Sequence, residues 1–311
     1  MGPVQIIVDA VRALRFDDGT PVTAASGIAP LADGWVIAQD DATFAAWQVA
    51  GSITPIRVMP PVEGHDRFSE ALGTKHLKPD LEVACPAEAD GESAVLLLGS
   101  GSTRRRMRGV LVRLECGRPV TRVADLSPLY ARVAERLGRP VEHLNLEGTS
   151  RHGDVVRWFN RGNLAAGVPS ASVDVPLESL VAAVLGRADA PSVPVDRPLV
   201  YDLGAVEGVG LAVTDAIALP DGRVLACAAA EDTPNAVDDG SVVATALALI
   251  DGERVLAVVP IPEVDGRVHK IEGLALREIR NGEAHLLAVV DDDDPGTPSA
   301  EFQLRVLLTH H

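Results

Sequence analysis

The chain has 311 residues, 47% of them hydrophobic, with 44 acidic against 28 basic side chains and a formal net charge of -16. Such a chain can bury a sizeable core, and its negative charge argues against nucleic acid or an anionic membrane as the main partner, because both need a positive surface. Metal cations and small ligands stay open as partners.

Cys85, Cys116 and Cys227 have no CxxC spacing and lie in or beside apolar runs. They read as reduced core residues of a reducing compartment. The opening "MGPVQIIVDAVRALRF" lacks the basic flank and cleavage site of a secretory signal. No apolar run reaches the roughly 18 residues of a membrane span, so a cytoplasmic protein is expected.

In chain order, "VQIIVDAVRAL" (4–14) is an isolated strand, followed by five copies of one unit. The copies open with "SGIAPL" (26–31), "LEVACP" (81–86), "LEGTSR" (146–151), "TDAIAL" (214–219) and "IEGLAL" (271–276). Their second strands are "WVIAQDD" (35–41), "VLLLGSGS" (95–102), "RWFNRGN" (157–163), "LACAAAED" (225–232) and "LAVVDDDD" (287–294). Third and fourth strands follow in four units, as in "RGVLVRL" and "VTRVADL". The fifth has only a third, "EFQLRVLL", and residues 4–14 supply its fourth.

That pattern predicts an all-β, five-bladed β-propeller closed by the N-terminal strand, one domain over residues 1–311. Six blades are possible if 187–212 hides a degenerate unit, and two packed β-sandwiches are the alternative architecture. The units lie about 55 to 70 residues apart, longer than a bare blade, and two helical insertions account for part of the surplus. "SPLYARVAERLG" has a Ser cap, an apolar face and a Gly stop, while "PLESLVAAVLG" (176–186) has Pro first and Gly last.

In an antiparallel blade the start of strand one and the end of strand two share an end. Glu82, Glu147, Asp215 and Glu272, with Ser26 in the first blade's place, are therefore expected around one mouth of the axis. The clusters Gln39–Asp41, Ser100–Ser102, Asn160–Asn163, Glu231–Asp232 and 291–294 are expected to surround it. Converging carboxylates need neutralising, by Ca2+, by basic side chains, or by protonation. The basic candidates are Lys75, Lys78, Arg104, Arg105, Arg106, Arg108, Arg161 and Lys270.

"GSGSTRRRMRG" (99–109) offers arginine forks for an anion but lacks a P-loop ending. "DDDDPGTP" (291–298) lacks EF-hand spacing, and only Asp291 or Asp292 is expected to face the funnel. The histidines show no paired metal spacing, and there is no GxSxG.

Taken together, "KPDLEVACPA", "VLLLGSGSTRRRMRGVLV", "DLSPLY", "NLEGTSRHGDVVRWFNRGN" and "KIEGLAL" resemble an uncharacterised family of bacterial β-propeller proteins over about residues 75–300. The "EG" opening an inner strand is also similar to phytase-like esterase propellers and, more distantly, to gluconolactonase and regucalcin-type propellers. In the latter such a glutamate holds an axial divalent metal for lactone or ester hydrolysis. That resemblance implies Glu147 and Glu272 as metal ligands, with Asp215 and Asn160 matching only in type and place.

The expected function is a Ca2+-dependent hydrolase of an ester, lactone or phosphoester. Its metal set is Glu82, Glu147, Asp215 and Glu272, and Lys78, Arg104, Arg105, Asn160, Arg161 and Asp291 face a small anionic ligand. Glycoside cleavage is a further class, though aromatics make up only 3% of the chain. The alternative is a non-catalytic binding or scaffold propeller whose funnel acids form an ion-pair network.

Overall fold

Apolar runs bounded by tight turns become antiparallel strands, and the computed structural model, which describes residues 4–233, 240–291 and 297–308, gathers them into five sheets. β1 (Val4–Ala13) leads the chain but belongs to the last sheet. Blade one is β2 (Ala25–Leu31), β3 (Gly34–Gln39), β4 (Phe44–Val49) and β5 (Ser52–Arg57). Blade two is β6 (Leu81–Ala89), β7 (Glu92–Gly99), β8 (Arg108–Glu115) and β9 (Arg118–Asp125). Blade three is β10 (Leu146–His152), β11 (Val155–Asn160), β12 (Ser170–Pro176) and β13 (Asp196–Tyr201).

Blade four starts with a short β14 (Ala205–Val206), then β15 (Val209–Ala218), β16 (Val224–Asp232), β17 (Ser241–Asp251) and β18 (Arg254–Pro260). Blade five is β19 (Ile271–Arg280), β20 (Glu283–Val290) and β21 (Ala300–Leu308), completed by β1 pairing antiparallel with β21. The innermost strands β2, β6, β10, β15 and β19 neighbour one another in turn and close a ring. The five-bladed propeller read from the repeats is the fold. Residues 187–212 hold a 3-10 turn, β13, β14 and the start of β15, and no sixth sheet forms among the described residues.

Packing overrides local preference in β16. Its alanine-rich run suits a helix, yet Ala226, Ala228 and Ala230 lie buried against blade three's Phe159 and Tyr201. Small side chains let adjacent blades approach.

Both helices form where expected. α1 (Ser127–Leu137) buries Leu129, Tyr130 and Val133 and ends at left-handed Gly138, φ 65°. Ser127 is its first residue rather than its cap: Leu126 takes the N-cap position with no side-chain cap, and Asp125 Oδ1 just before it accepts the Ser127 N–H at 2.8 Å. α2 (Leu177–Val184) lies between β12 and β13, and both helices seal the core between blades two and three. Cys85 and Cys227 are buried as expected, but Cys116 is exposed, because it forms the β8–β9 turn with φ 51°. No described helix is long and apolar enough to cross a membrane.

Candidate functional site

Each inner strand carries one bulge near its start, where the ladder skips a residue. The skipped residues are Ser26, Glu82, Glu147, Thr214 and Glu272. A bulge re-aims the extra side chain, here at the mouth of the ring. Asp215 is therefore one place out of register with the three glutamates, and in a strand one place is the opposite face. Its oxygens accept the backbone N–H of Thr149 at 3.2 Å and of Leu274 at 2.7 Å, stitching blades three, four and five together. In blade four the equivalent residue is Thr214, whose hydroxyl donates to the Ile271 carbonyl at 2.6 Å. Ser26 does the same to Leu81 at 2.5 Å.

The residue after the bulge sits where inner strands nearly touch. A Cβ on Gly273 would lie 2.6 Å from Gly27 Cα, and one on Gly148 would lie 2.7 Å from Asp215 Cα. The "EG" pairs thus join an axial acid to a position that excludes a side chain.

The acids assemble into two ion-pair groups. In the first, Lys78 Nζ lies 2.5 Å from Asp40 and 2.6 Å from Asp80, and Arg106 lies 2.8 Å from the other Asp80 oxygen. Ser100 donates its hydroxyl to Asp80. The carboxylates of Asp40, Asp80 and Glu82 have oxygens mutually within 4.8 Å. In the second, Arg161 bridges Glu147 at 3.1 Å and Glu231 at 2.7 Å. Lys270 bridges Glu231 at 2.7 Å and Glu272 at 2.6 Å. Asn145 donates to Glu147 at 2.6 Å.

Six carboxyl groups thus face four cations, an excess of two acids. Burial lifts Glu82 well above the usual range, helped by Asp80 and Asp40. Burial likewise lifts Glu272 to about 8 against the pull of Lys270. Asp40 and Glu147 are also raised by burial, which Lys78 and Arg161 respectively oppose. For Asp80 and Glu231 burial acts upward too, but the flanking cations outweigh it and both carboxyls lie below their ordinary range. Lys78 is held charged by Asp40, Asp80 and Glu82 despite its burial.

The expected site residues therefore divide. Glu82, Glu147, Glu272, Lys78 and Arg161 meet at one mouth. Asn160 supports it from behind, accepting the Asn145 N–H at 3.0 Å and donating to the Arg161 carbonyl at 2.7 Å. Asp291 accepts from the Ala24 N–H at 3.0 Å and the Ser299 hydroxyl at 2.7 Å. Asp292 and the rest of 292–296 lie outside the described residues. Arg104 and Arg105 stay on the surface of a 3-10 turn, Arg105 paired with Glu63 at 2.8 Å, while Arg106 alone turns inward. Trp158 is buried against Tyr130, ring centres 5.0 Å apart. Asp80 escaped the sequence reading altogether.

Among solved structures, a luciferin-regenerating enzyme is 14% identical, covering 92% of this chain and 78% of its own, with a TM-score of 0.40. The PQQ-bound aldose sugar dehydrogenase of Streptomyces coelicolor is 11% identical over 97% and 98%, with a TM-score of 0.47. Apo AztD of Citrobacter koseri is 11% identical over 90% and 74%, with a TM-score of 0.28. No curated protein matches the chain. A family model matches residues 74–295, and the chain belongs to that family of unknown function, DUF6910.

Proposed function

We propose that the axial mouth is a structural lock in a non-catalytic ligand-binding or scaffold propeller. One observation carries the reading. Each of the four cations of the mouth touches a carboxylate within 3.1 Å, and Lys78, Arg161 and Lys270 each do so across a blade boundary. Cations spent on internal carboxylates are poor anchors for an anion. A small anionic ligand would instead be taken at the rim, by Arg104 and Arg105.

A second reading is a Ca2+-dependent hydrolase of an ester, lactone or phosphoester. It is favoured by the closeness of Asp40, Asp80 and Glu82, and by Glu82 having no ion-pair partner among the described residues. Glu147 Oε2, buried without a hydrogen-bond partner, adds a further oxygen. These hard oxygens suit Ca2+, which when bound polarises an ester oxygen. Lys78 competes for the same oxygens. Asp215 is left out of the ligand set because backbone amides take both its oxygens.

Elemental analysis of purified protein, with melting in Ca2+ and in EDTA, separates the two. The lock predicts no stoichiometric metal and identical melting temperatures. A bound metal lost to EDTA with a fall in melting temperature would establish the second reading instead.

A further inference from the structure

The seam between blades three and four is open beside the lock. A cavity of about 220 Å³ lies between the β11–β12 loop and the start of β15. That is smaller than the roughly 300–1,000 Å³ of drug-sized pockets, so it suits a fragment-sized molecule.

Part of the lining is apolar: Leu164, 42% exposed, lines the cavity together with Val209 and Ala205. Gly210 lets the leucine lie flat there, since a Cβ on it would meet Leu164 Cδ1 at 2.4 Å. The loop is built in advance of any ligand. Asn163 Oδ1 accepts the Ala166 N–H at 3.0 Å, and the Asn163 N–H donates to the Val168 carbonyl at 2.6 Å. A preformed wall spares an occupant the cost of ordering it.

The charges of the lining decide what fits. Arg161 and Glu231 are both lining residues, but they are paired with each other at 2.7 Å. Asp232 is exposed at the end of β16 and has no ion pair among the described residues. The uncompensated charge of the lining is thus negative. A net charge of -16 also concentrates cations at the surface. An anion would meet Asp232 and find the guanidinium of Arg161 already occupied.

We infer that this seam binds a small organic amine, its ammonium on Asp232 and its apolar body on Leu164 and Val209. The site goes beyond the axial reading and does not depend on it.

The test titrates the full chain by NMR with benzylamine and with benzyl alcohol, a neutral molecule of the same shape. Saturable benzylamine binding roughly three- to fivefold tighter than the alcohol is expected, the range of a solvated ion pair. Asp232→Asn should erase that preference while leaving the alcohol's affinity unchanged. Ala165→Trp, at an exposed loop position, should block both. Leu164→Ala gives the same readout as a weaker loss of both, should the tryptophan disturb folding. Absence of saturable benzylamine binding, equal affinities, or a preference surviving Asp232→Asn would overturn the assignment.

Discussion

Lys270 and Glu231 reach the mouth from different blades and meet at 2.7 Å, with side chains only 6% and 3% exposed. A pair so shielded contributes little net stability over an apolar pair, but breaking it leaves buried Glu231 with Arg161 as its remaining cation and takes away the cation 2.6 Å from Glu272. Lys270→Met should cost about 3–5 kcal/mol in urea denaturation. The double change Lys270→Met with Glu231→Gln should cost less than the sum of the two singles. A single-mutant loss below about 1 kcal/mol would remove the lock reading.

Stability should also report the acids that burial raises. Glu272 is raised from 4.5 to about 8, so the folded chain keeps a proton there that the unfolded chain has lost. Its contribution is full below 4.5 and fades as pH climbs to about 8, by at most about 1.4 kcal/mol per pH unit. Asp41, lifted to about 6 by burial and by Asp40, acts the same way between 3.8 and 6. Asp80 and Glu231 act oppositely, since their lowered values stabilise above the ordinary range and fail as pH falls. Glu272→Gln imitates the protonated form and should flatten the decline in melting temperature between about pH 5 and pH 8. An unchanged profile would refute the assignment.

Substitution at the axial glycines should be severe for a steric reason. In Gly273→Ala the added carbon meets Gly27 Cα at 2.6 Å, and that obstacle is backbone that cannot rotate away. A loss of about 1–3 kcal/mol or more is expected, read by thermal melting. Gly282→Ala is the contrast: open space surrounds it and its φ of 80° alone strains the variant, so its loss should be the smaller of the two.

The hydroxyl bridges can be tested singly. Thr214→Val keeps the shape but removes the bond to the Ile271 carbonyl, and about 1 kcal/mol should be lost. Asp215→Ala, which strands the amides of Thr149 and Leu274, should cost more.

The blades, their closure and three axial glutamates were legible because repetition exposes them: five openings, five second strands, and one missing partner for β21. Three features were hidden for different reasons. Asp80 lies just before β6 with a left-handed backbone, φ 56°, so its spacing of two from Lys78 and from Glu82 does not by itself put the three on one face. The pairs Asn145 with Glu147 and Lys270 with Glu272 repeat that spacing. The displacement of Asp215 was not legible, because the bulge at Thr214 appears only when the strand is laid against β16. Nor does "TRRRM" disclose which arginine turns inward. A three-residue 3-10 turn fans its side chains apart, and only contact with Asp80 selects Arg106.

Val4 lies opposite Leu308, so the first and last described strands are zipped side by side in one sheet. A ring fastened this way is topologically indifferent to where its chain is cut. A circular permutant that joins residues 4 and 308 through a short linker and opens at the exposed β8–β9 turn should refold. Deleting β1 instead would leave β21 as a bare, sticky edge that invites a second molecule.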